Sequence, residues 1–363
     1  MPYASDETVK WANKVLSTGG FQARKAMLTT NPVLPPSGGI TLAAITGHAG
    51  RAFDAVVKLN YSKLKIGAAS DSIKFIKLRP NEKNEVGAMT FVMKNPDELP
   101  TVASRLGWTA VWWLPWQNSH VVKIKIRSKL TDPTIAMGLG VAPVDNPDIF
   151  FTAAINGCSV FAVGDTKAPS LYHGGVDGGM TVRNPNETTE AAWRRLLGRI
   201  GSAKNIQGIG KSDYVSELNP NPADDDDRLR VNNFKTTTAA NALEQNLLLR
   251  GNLTNISVSP FGMVFGLRDI SNDWAMTLVK NAHVSYRRIH VVRKKRFLRS
   301  DKVRQVDRGE IRHARTYDAE GDVTTQVSTV EQASQYCVTL GFQDFFPGAG
   351  QVMMHNLNQI TLF

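Results

Sequence analysis

The chain has 363 residues, of which 42% are hydrophobic and 21% charged, so its composition is that of a globular protein and not a disordered one. Only two cysteines are present, which excludes a disulfide framework and predicts two free thiols in a reducing compartment. No apolar run approaches the roughly 18 residues of a membrane-spanning helix, and the N-terminus lacks the pattern of a Sec signal peptide, so any export is expected to be signal-less.

The first 40 residues predict a helix followed by a loop. Asp6 and Glu7 suit a first helical turn, and Val9, Trp11 and Leu16 give an apolar helical face. The Pro- and Gly-rich segment 31–39 then ends the helix. A second helical pattern, interrupted by glycines, runs from 40 to 59.

From Ile73 to Ile126 the pattern changes to that of strands. The segment Trp108–Leu114 is apolar at almost every position, which predicts a strand buried on both faces. Its tryptophans are expected to pack in the core rather than form a ligand platform. Val122, Ile124 and Ile126 alternate with basic residues, as in a half-buried strand.

The remaining pattern is again mainly that of strands, with two further helices. Strands are predicted at Thr134–Val141, Ile149–Ile155, Ser159–Val163, Ile256–Phe265, Trp274–Val279 and Val284–Val292. Helices are predicted at Asn186–Ile200 and Ala239–Leu249, on either side of an acidic loop near 219–228. These elements indicate an α+β fold. Residues 1–130 form either a separate N-terminal region or an elaboration of the fold of residues 131–363.

Positive charge is concentrated in one segment. Of the net charge of +11, residues 286–315 hold +9, from twelve Lys or Arg against three acidic residues. Such a segment favours an anionic partner, which is nucleic acid, a lipid surface or an acidic protein face. The alternative is a solvated basic strand and turn.

Cys158 and His173 are the candidate catalytic pair. Cys158 follows a glycine at the end of one predicted strand, and His173 lies fifteen residues further on. A hairpin that turns near Gly164–Pro169 returns the chain over this distance and brings the imidazole towards the sulfur. An imidazole beside a thiol activates it as a nucleophile for acyl chemistry.

Three further residues complete the predicted centre. Gly157 allows a substrate to approach the backbone, and the N–H groups of Gly157 and Cys158 are the candidate oxyanion donors. Thr152 is the candidate group that orients the histidine, with Asp165 as the fallback. The competing interpretation is a small buried cysteine and a structural histidine.

No cofactor or metal is expected. The other six histidines lack the Cys, His and carboxylate spacing typical of zinc sites, and no P-loop or dinucleotide fingerprint is present. These histidines are His48, His120, His283, His290, His313 and His355. Cys337 is predicted to be an ordinary core residue in a strand.

The segment from Thr152 to His173 resembles the glutamine deamidases that include cytotoxic necrotizing factor, the Burkholderia lethal factor and the chemoreceptor deamidase CheD. Their motif is a Leu-Ser-Gly-Cys-like sequence after a strand, with a threonine six positions upstream in several members and a histidine downstream. Ile155 and Asn156 stand here where the motif has Leu and Ser. The resemblance covers about 25 residues.

This resemblance implies a mixed α/β sandwich of stacked, mostly antiparallel sheets flanked by helices. It implies deamidation or transglutamination of a protein glutamine by Cys158, with His173 as base and acid and Thr152 as orienting group. The implied partner is a substrate protein such as a host GTPase or translation factor, and the implied setting is a bacterial effector in the cytosol of a target cell. Open alternatives are a cysteine protease or acyltransferase, and a non-enzymatic protein that binds nucleic acid or anionic membranes.

Overall fold

A computed structural model gives the fold. It describes residues 6–36, 73–80, 85–86, 88–116, 121–129, 146–174, 206–210, 213–214, 253–296, 299–302, 310–317, 323–348, 350 and 352–354. The predicted strand at 134–141, the predicted helices at 40–59, 186–200 and 239–249, and the acidic loop near 219–228 lie outside these residues.

Two helices and sixteen strands are present in the described part of the chain. The helices are α1 (Asp6–Thr18) and α2 (Phe21–Thr30). The first strands are β1 (Val33–Leu34), β2 (Ile73–Pro80), β3 (Glu85–Val86), β4 (Met89–Lys94), β5 (Thr109–Leu114), β6 (Val121–Lys125), β7 (Ile149–Thr152) and β8 (Ser159–Val163). The later strands are β9 (Ser170–Gly174), β10 (Ile206–Ile209), β11 (Leu253–Arg268), β12 (Trp274–Arg296), β13 (Arg299–Lys302), β14 (Glu310–Tyr317), β15 (Val323–Phe346) and β16 (Val352–Met354).

The N-terminal segment contains two helices where the sequence predicted one. Asp6 and Glu7 occupy the first turn of α1, where they complement the helix dipole. The buried face of α1 includes Ala12 and Leu16, and α1 packs against β2. Asn13 fixes this contact, because its side-chain amide donates to the Leu78 carbonyl at 2.9 Å and accepts from the Leu78 N–H at 2.8 Å.

Most strands belong to one large sheet with the order β1-β4-β2-β5-β7-β11-β12-β15-β14, with β3, β13 and β16 paired to its members. Most of its neighbours are antiparallel, and β5 pairs with β7 in parallel through Trp112 and Phe150. Strands from both sides of residue 130 therefore share this sheet. Trp112 and Trp113 are buried, as predicted for core residues.

The long strand β12 differs from the prediction of two strands at Trp274–Val279 and Val284–Val292. The chain continues between them as one strand that pairs with β15 along its length. At the register shift between Lys280 and Asn281 the extra residue is Leu340 of β15, so β12 itself runs on without interruption. The two predicted strands are therefore one.

A second sheet of four strands has the order β10-β8-β9-β6. Its apolar residues, such as Ile124, Val160 and Leu171, form one buried cluster with Trp112 and Leu278 of the large sheet. Two sheets and two helices make the described fold broadly α+β and mostly β. No helix among the described residues is long and apolar enough to cross a membrane.

Candidate active site

The predicted hairpin between Cys158 and His173 is present. β8 and β9 are antiparallel neighbours, and Val160 lies directly opposite His173. The turn between them contains Gly164 at φ +101°, a conformation that favours glycine. Asp165 lies in this turn, is exposed, and accepts a hydrogen bond from the Lys167 N–H at 2.8 Å. The turn is the far end of the hairpin from His173, and because Thr152 contacts the imidazole itself, the fallback role of Asp165 does not arise.

Thr152 orients His173. The threonine hydroxyl donates to the Leu114 carbonyl at 2.8 Å, and its Oγ1 lies 2.7 Å from His173 Nδ1. Since the only hydroxyl proton is used by the carbonyl, Nδ1 must carry a proton and donate it to Oγ1. The other ring nitrogen, Nε2, is then the one with a free lone pair. This is the tautomer that a general base towards a thiol requires.

His173 is fully buried, and burial lowers its pKa to about 3. The imidazole is therefore neutral at physiological pH. Within the described part of the chain, Nε2 is buried and makes no hydrogen bond. A buried polar atom without a partner costs about 1–3 kcal/mol and calls for an explanation, one of which is a catalytic role.

Cys158 lies just before β8, on the same side as His173. Two residues separate it from Val160, the position opposite His173, and side chains two apart along a strand share a face. The half-buried thiol packs against the cluster that contains Val160 and Leu171. Cys158 thus lies one residue before the end of the ladder, where Ser159 pairs with Gly174 next to His173.

The backbone before Cys158 is held by β11. Ile155 and Gly262 exchange two backbone hydrogen bonds, of 2.9 and 2.8 Å. Their close approach requires glycine, because a Cβ at position 262 would lie 2.6 Å from Ile155 Cγ1. Gly157 follows with φ at +104°, so it also adopts a backbone conformation that favours glycine.

Tyr214 closes the turn at Gly157 and Cys158, and sequence reasoning missed it. Its hydroxyl accepts from the Gly157 N–H at 2.8 Å and donates to the Cys158 carbonyl at 2.8 Å. The Gly157 N–H, predicted as an oxyanion donor, is therefore bound to a side chain in this conformation. Burial, and after it the negative charge of Cys158, raise the pKa of Tyr214 well above its ordinary value, which keeps the hydroxyl protonated.

Asp213 and Lys280 lie close to the two hydrogen bonds that Tyr214 makes to Gly157 and Cys158. Asp213 accepts from the Gly210 N–H at 2.8 Å and so fixes the short turn that carries Tyr214. Lys280 lies midway along β12 between Leu278 and Ala282, which belong to the cluster packed against Cys158. Burial lowers the pKa of Lys280, and the carboxylate of Asp213 partly offsets this effect. No local sequence pattern links these residues to Cys158.

The second thiol, Cys337, is buried in β15 as predicted and lies opposite His283 in the ladder. Among the residues that the structure describes, no group of three or more His, Cys, Asp or Glu is arranged to hold a metal ion. The side chains of Cys158, His173 and Thr152 offer a thiol, a neutral imidazole and a hydroxyl.

The fold and these residues define an α+β protein with a Thr–His pair beside a half-buried cysteine. No known protein family matches the sequence, and no curated protein is significantly similar to it.

Replacing Tyr214 by phenylalanine is expected to loosen the turn at Cys158. Tyr214→Phe removes both hydrogen bonds to the turn and leaves the Gly157 N–H without its acceptor, at a cost of about 1–3 kcal/mol in the free energy of unfolding. The Cys158 thiol should then react faster with iodoacetamide, as measured by mass spectrometry of the labelled peptide. Cys337 in the same sample is the internal control. Unchanged stability and unchanged Cys158 labelling would show that the Tyr214 hydroxyl does not hold the turn.

Proposed function

We propose that the chain is a cysteine-dependent hydrolase of carboxamide C–N bonds that converts a protein glutamine to glutamate. The observation that carries this proposal is the hydrogen bond between Thr152 and His173, which leaves a buried Nε2 with a free lone pair in the hairpin that follows Cys158. The deamidase resemblance assigns the same three residues to these roles.

The first half of the reaction forms a thioester. Nε2 of His173 takes the thiol proton as the Cys158 sulfur attacks the carboxamide carbon. The imidazolium that forms is held through Nδ1–H by Thr152 Oγ1. The C–N bond then breaks, the proton passes to the leaving nitrogen, and ammonia departs.

The second half regenerates the thiol. Nε2 takes a proton from water, the hydroxide attacks the thioester carbon, and the C–S bond breaks as the sulfur recovers its proton. The sum is carboxamide plus water giving carboxylic acid plus ammonia. A primary amine in place of water gives transglutamination at the same residues.

The low pKa of His173 shapes this mechanism. The resting imidazole is neutral, so the pair is not a preformed thiolate and imidazolium. Proton transfer then accompanies substrate attack, when the thiol moves within hydrogen-bonding reach of Nε2. Hydrogen bonds in catalytic centres without substrate are often long and tighten when substrate binds. The tetrahedral oxyanion needs backbone donors, and Tyr214 must release the Gly157 N–H for that amide to serve.

The test compares Cys158→Ala with the wild-type chain on a mixture of glutamine-containing proteins. We expect ammonia release and a mass increase of about one unit at glutamine with the wild type, and loss of both with Cys158→Ala. Cys337→Ala, which truncates the other thiol, should retain activity. Normal turnover by Cys158→Ala would refute the proposal, and cleavage of the chains would identify a protease instead.

The setting of the reaction belongs to the same proposal. A deamidase of this kind acts on a partner protein with an accessible glutamine, such as a host GTPase or translation factor, in the cytosol of a target cell. An exported protein would meet its substrate in that cell, and without export the location is the cytoplasm of the producing cell.

A further inference from the structure

The distal ends of the long strands bring the basic segment into one four-stranded block. Beyond the part of β12 that pairs with β11, β12 is flanked by β13 on one edge and β15 on the other, and β14 pairs with β15. The order across the block is β13-β12-β15-β14. We call this block, together with the adjoining residues 287–288 that still pair with the end of β11, the basic ribbon, and define it as residues 287–296, 299–302, 310–317 and 323–335.

The basic ribbon carries ten Lys or Arg against three acidic residues. The basic residues are Arg287, Arg288, Arg293, Lys294, Lys295, Arg296, Arg299, Lys302, Arg312 and Arg315. The acidic residues are Asp301, Glu310 and Glu331. The ribbon therefore holds +7 of the chain's formal net charge of +11.

The strand register does not neutralise this charge. On the β15 side, the basic residues of β12 lie opposite uncharged positions, for example Lys294 opposite Val327 and Lys295 opposite Gln326. On the β13 side, Lys294 lies opposite Asp301, but that is the only opposite-charge pair between β12 and β13 in the described ladder.

Two register pairs place cations opposite cations. Arg293 lies opposite Lys302, and Arg296 lies opposite Arg299. Like charges directly opposite one another in antiparallel strands are destabilising. A ladder that retains such pairs gains stability when an anion binds between or beside them, because the anion turns repulsion into attraction.

We propose that the basic ribbon binds the phosphate backbone of nucleic acid. This interaction is independent of the chemistry proposed for Cys158. Residues 293–296 are four consecutive cations on β12, a local density of positive charge suited to the closely spaced phosphates of a nucleic-acid strand. Seven of the ten cations of the ribbon are arginine, whose planar guanidinium binds phosphate oxygens in pairs.

The composition of β15 favours nucleic acid over a lipid surface. Eight of the thirteen residues 323–335 are Ser, Thr or Gln, and none is aromatic. Hydroxyl and amide side chains hydrogen-bond phosphate and sugar oxygens, whereas a membrane-binding surface combines cations with apolar and aromatic residues. The ribbon offers no motif for reading bases, so we expect binding with little sequence preference.

The experiment measures binding of the full chain to a fluorescent RNA of about 20 nucleotides, a DNA duplex of similar length and vesicles containing phosphatidylglycerol. The variant Arg293→Gln/Lys295→Gln/Arg296→Gln removes three ribbon cations and keeps Lys294 opposite Asp301. The matched control Lys10→Gln/Lys77→Gln/Lys125→Gln removes three exposed cations elsewhere. Binding by the wild type should weaken steeply between about 50 and 200 mM salt.

We expect the ribbon variant to bind about 100-fold more weakly at about 100 mM salt, with its log–log salt slope reduced by about 2–3, and the control to match the wild type. Without nucleic acid the ribbon variant should unfold at the wild-type temperature or above it, since two like-charge pairs are removed. Equal binding by the ribbon variant and wild type, equal weakening by the control, or binding to vesicles but to neither nucleic acid, would each overturn the proposal.

Discussion

Lowering the pH from about 6.5 towards 4 is expected to reduce the free energy of unfolding by about 1.4 kcal/mol for each pH unit through His173 alone. In the folded chain, burial lowers the pKa of His173 to about 3. In the unfolded chain the imidazole has the ordinary pKa of 6.5. Between these values the unfolded state binds a proton that the folded state does not. Stability from this residue is therefore complete above pH 6.5 and is lost as the pH falls towards 3.

The measurement is urea unfolding of the wild type and of His173→Gln at several pH values from 4 to 8. All other titrating groups are common to both proteins, so the difference between their free energies of unfolding isolates His173. That difference should change by about 1.4 kcal/mol per unit below pH 6.5 and be flat above it. A difference that does not vary with pH would mean that the folded chain accepts a proton at His173 as easily as the unfolded chain does.

The same variant separates a structural histidine from a functional one. The amide side chain that His173→Gln introduces is polar but has no ring nitrogen that can take a proton in place of Nε2. Deamidation should therefore fall by about 10²–10⁴-fold even where His173→Gln remains folded. A structural role alone predicts that activity follows the folded fraction.

Most of the predictions that the structure confirms rest on local strand patterns. Ser159–Val163 is a strand with the predicted limits, and the alternation at Val122, Ile124 and Ile126 corresponds to buried positions in and beside β6. The hairpin that joins Cys158 to His173 also follows from local signals, since Gly164 allows its turn. These features depend on period and turn chemistry within about fifteen residues.

Local patterns could not predict the contacts between distant segments of the chain. Tyr214 meets Cys158 across 56 residues, and Leu278 reaches the same cluster from the other sheet. No periodicity within a segment encodes which other segment it will pack against. The continuity of β12 was missed for a related reason, since the pairing with β15 that joins its two halves cannot be read from the sequence of β12 alone.

Thr152→Val is expected to remove the group that fixes the His173 tautomer while preserving the shape of the side chain. Leu114 keeps a hydrogen bond from the Ala153 N–H at 3.1 Å, but the Nδ1–H of His173 loses its acceptor in a fully buried position. An unsatisfied buried donor costs about 1–3 kcal/mol in the free energy of unfolding. The ring can then rotate or carry its proton on Nε2, where it cannot act as a base.

Deamidation by Thr152→Val should fall by about 10²-fold or more, because a misoriented imidazole loses much of the gain from general base catalysis. Thr152→Ser is the matched control, since it keeps the hydroxyl between Leu114 and His173 and should retain most of the activity. If the valine and serine variants have the same activity and the same stability, the hydroxyl does not position His173. If Thr152→Val loses deamidation activity and Thr152→Ser keeps it, the hydrogen bond from the hydroxyl is what the activity requires. The two variants differ in the presence of that hydroxyl and in little else that contacts the ring.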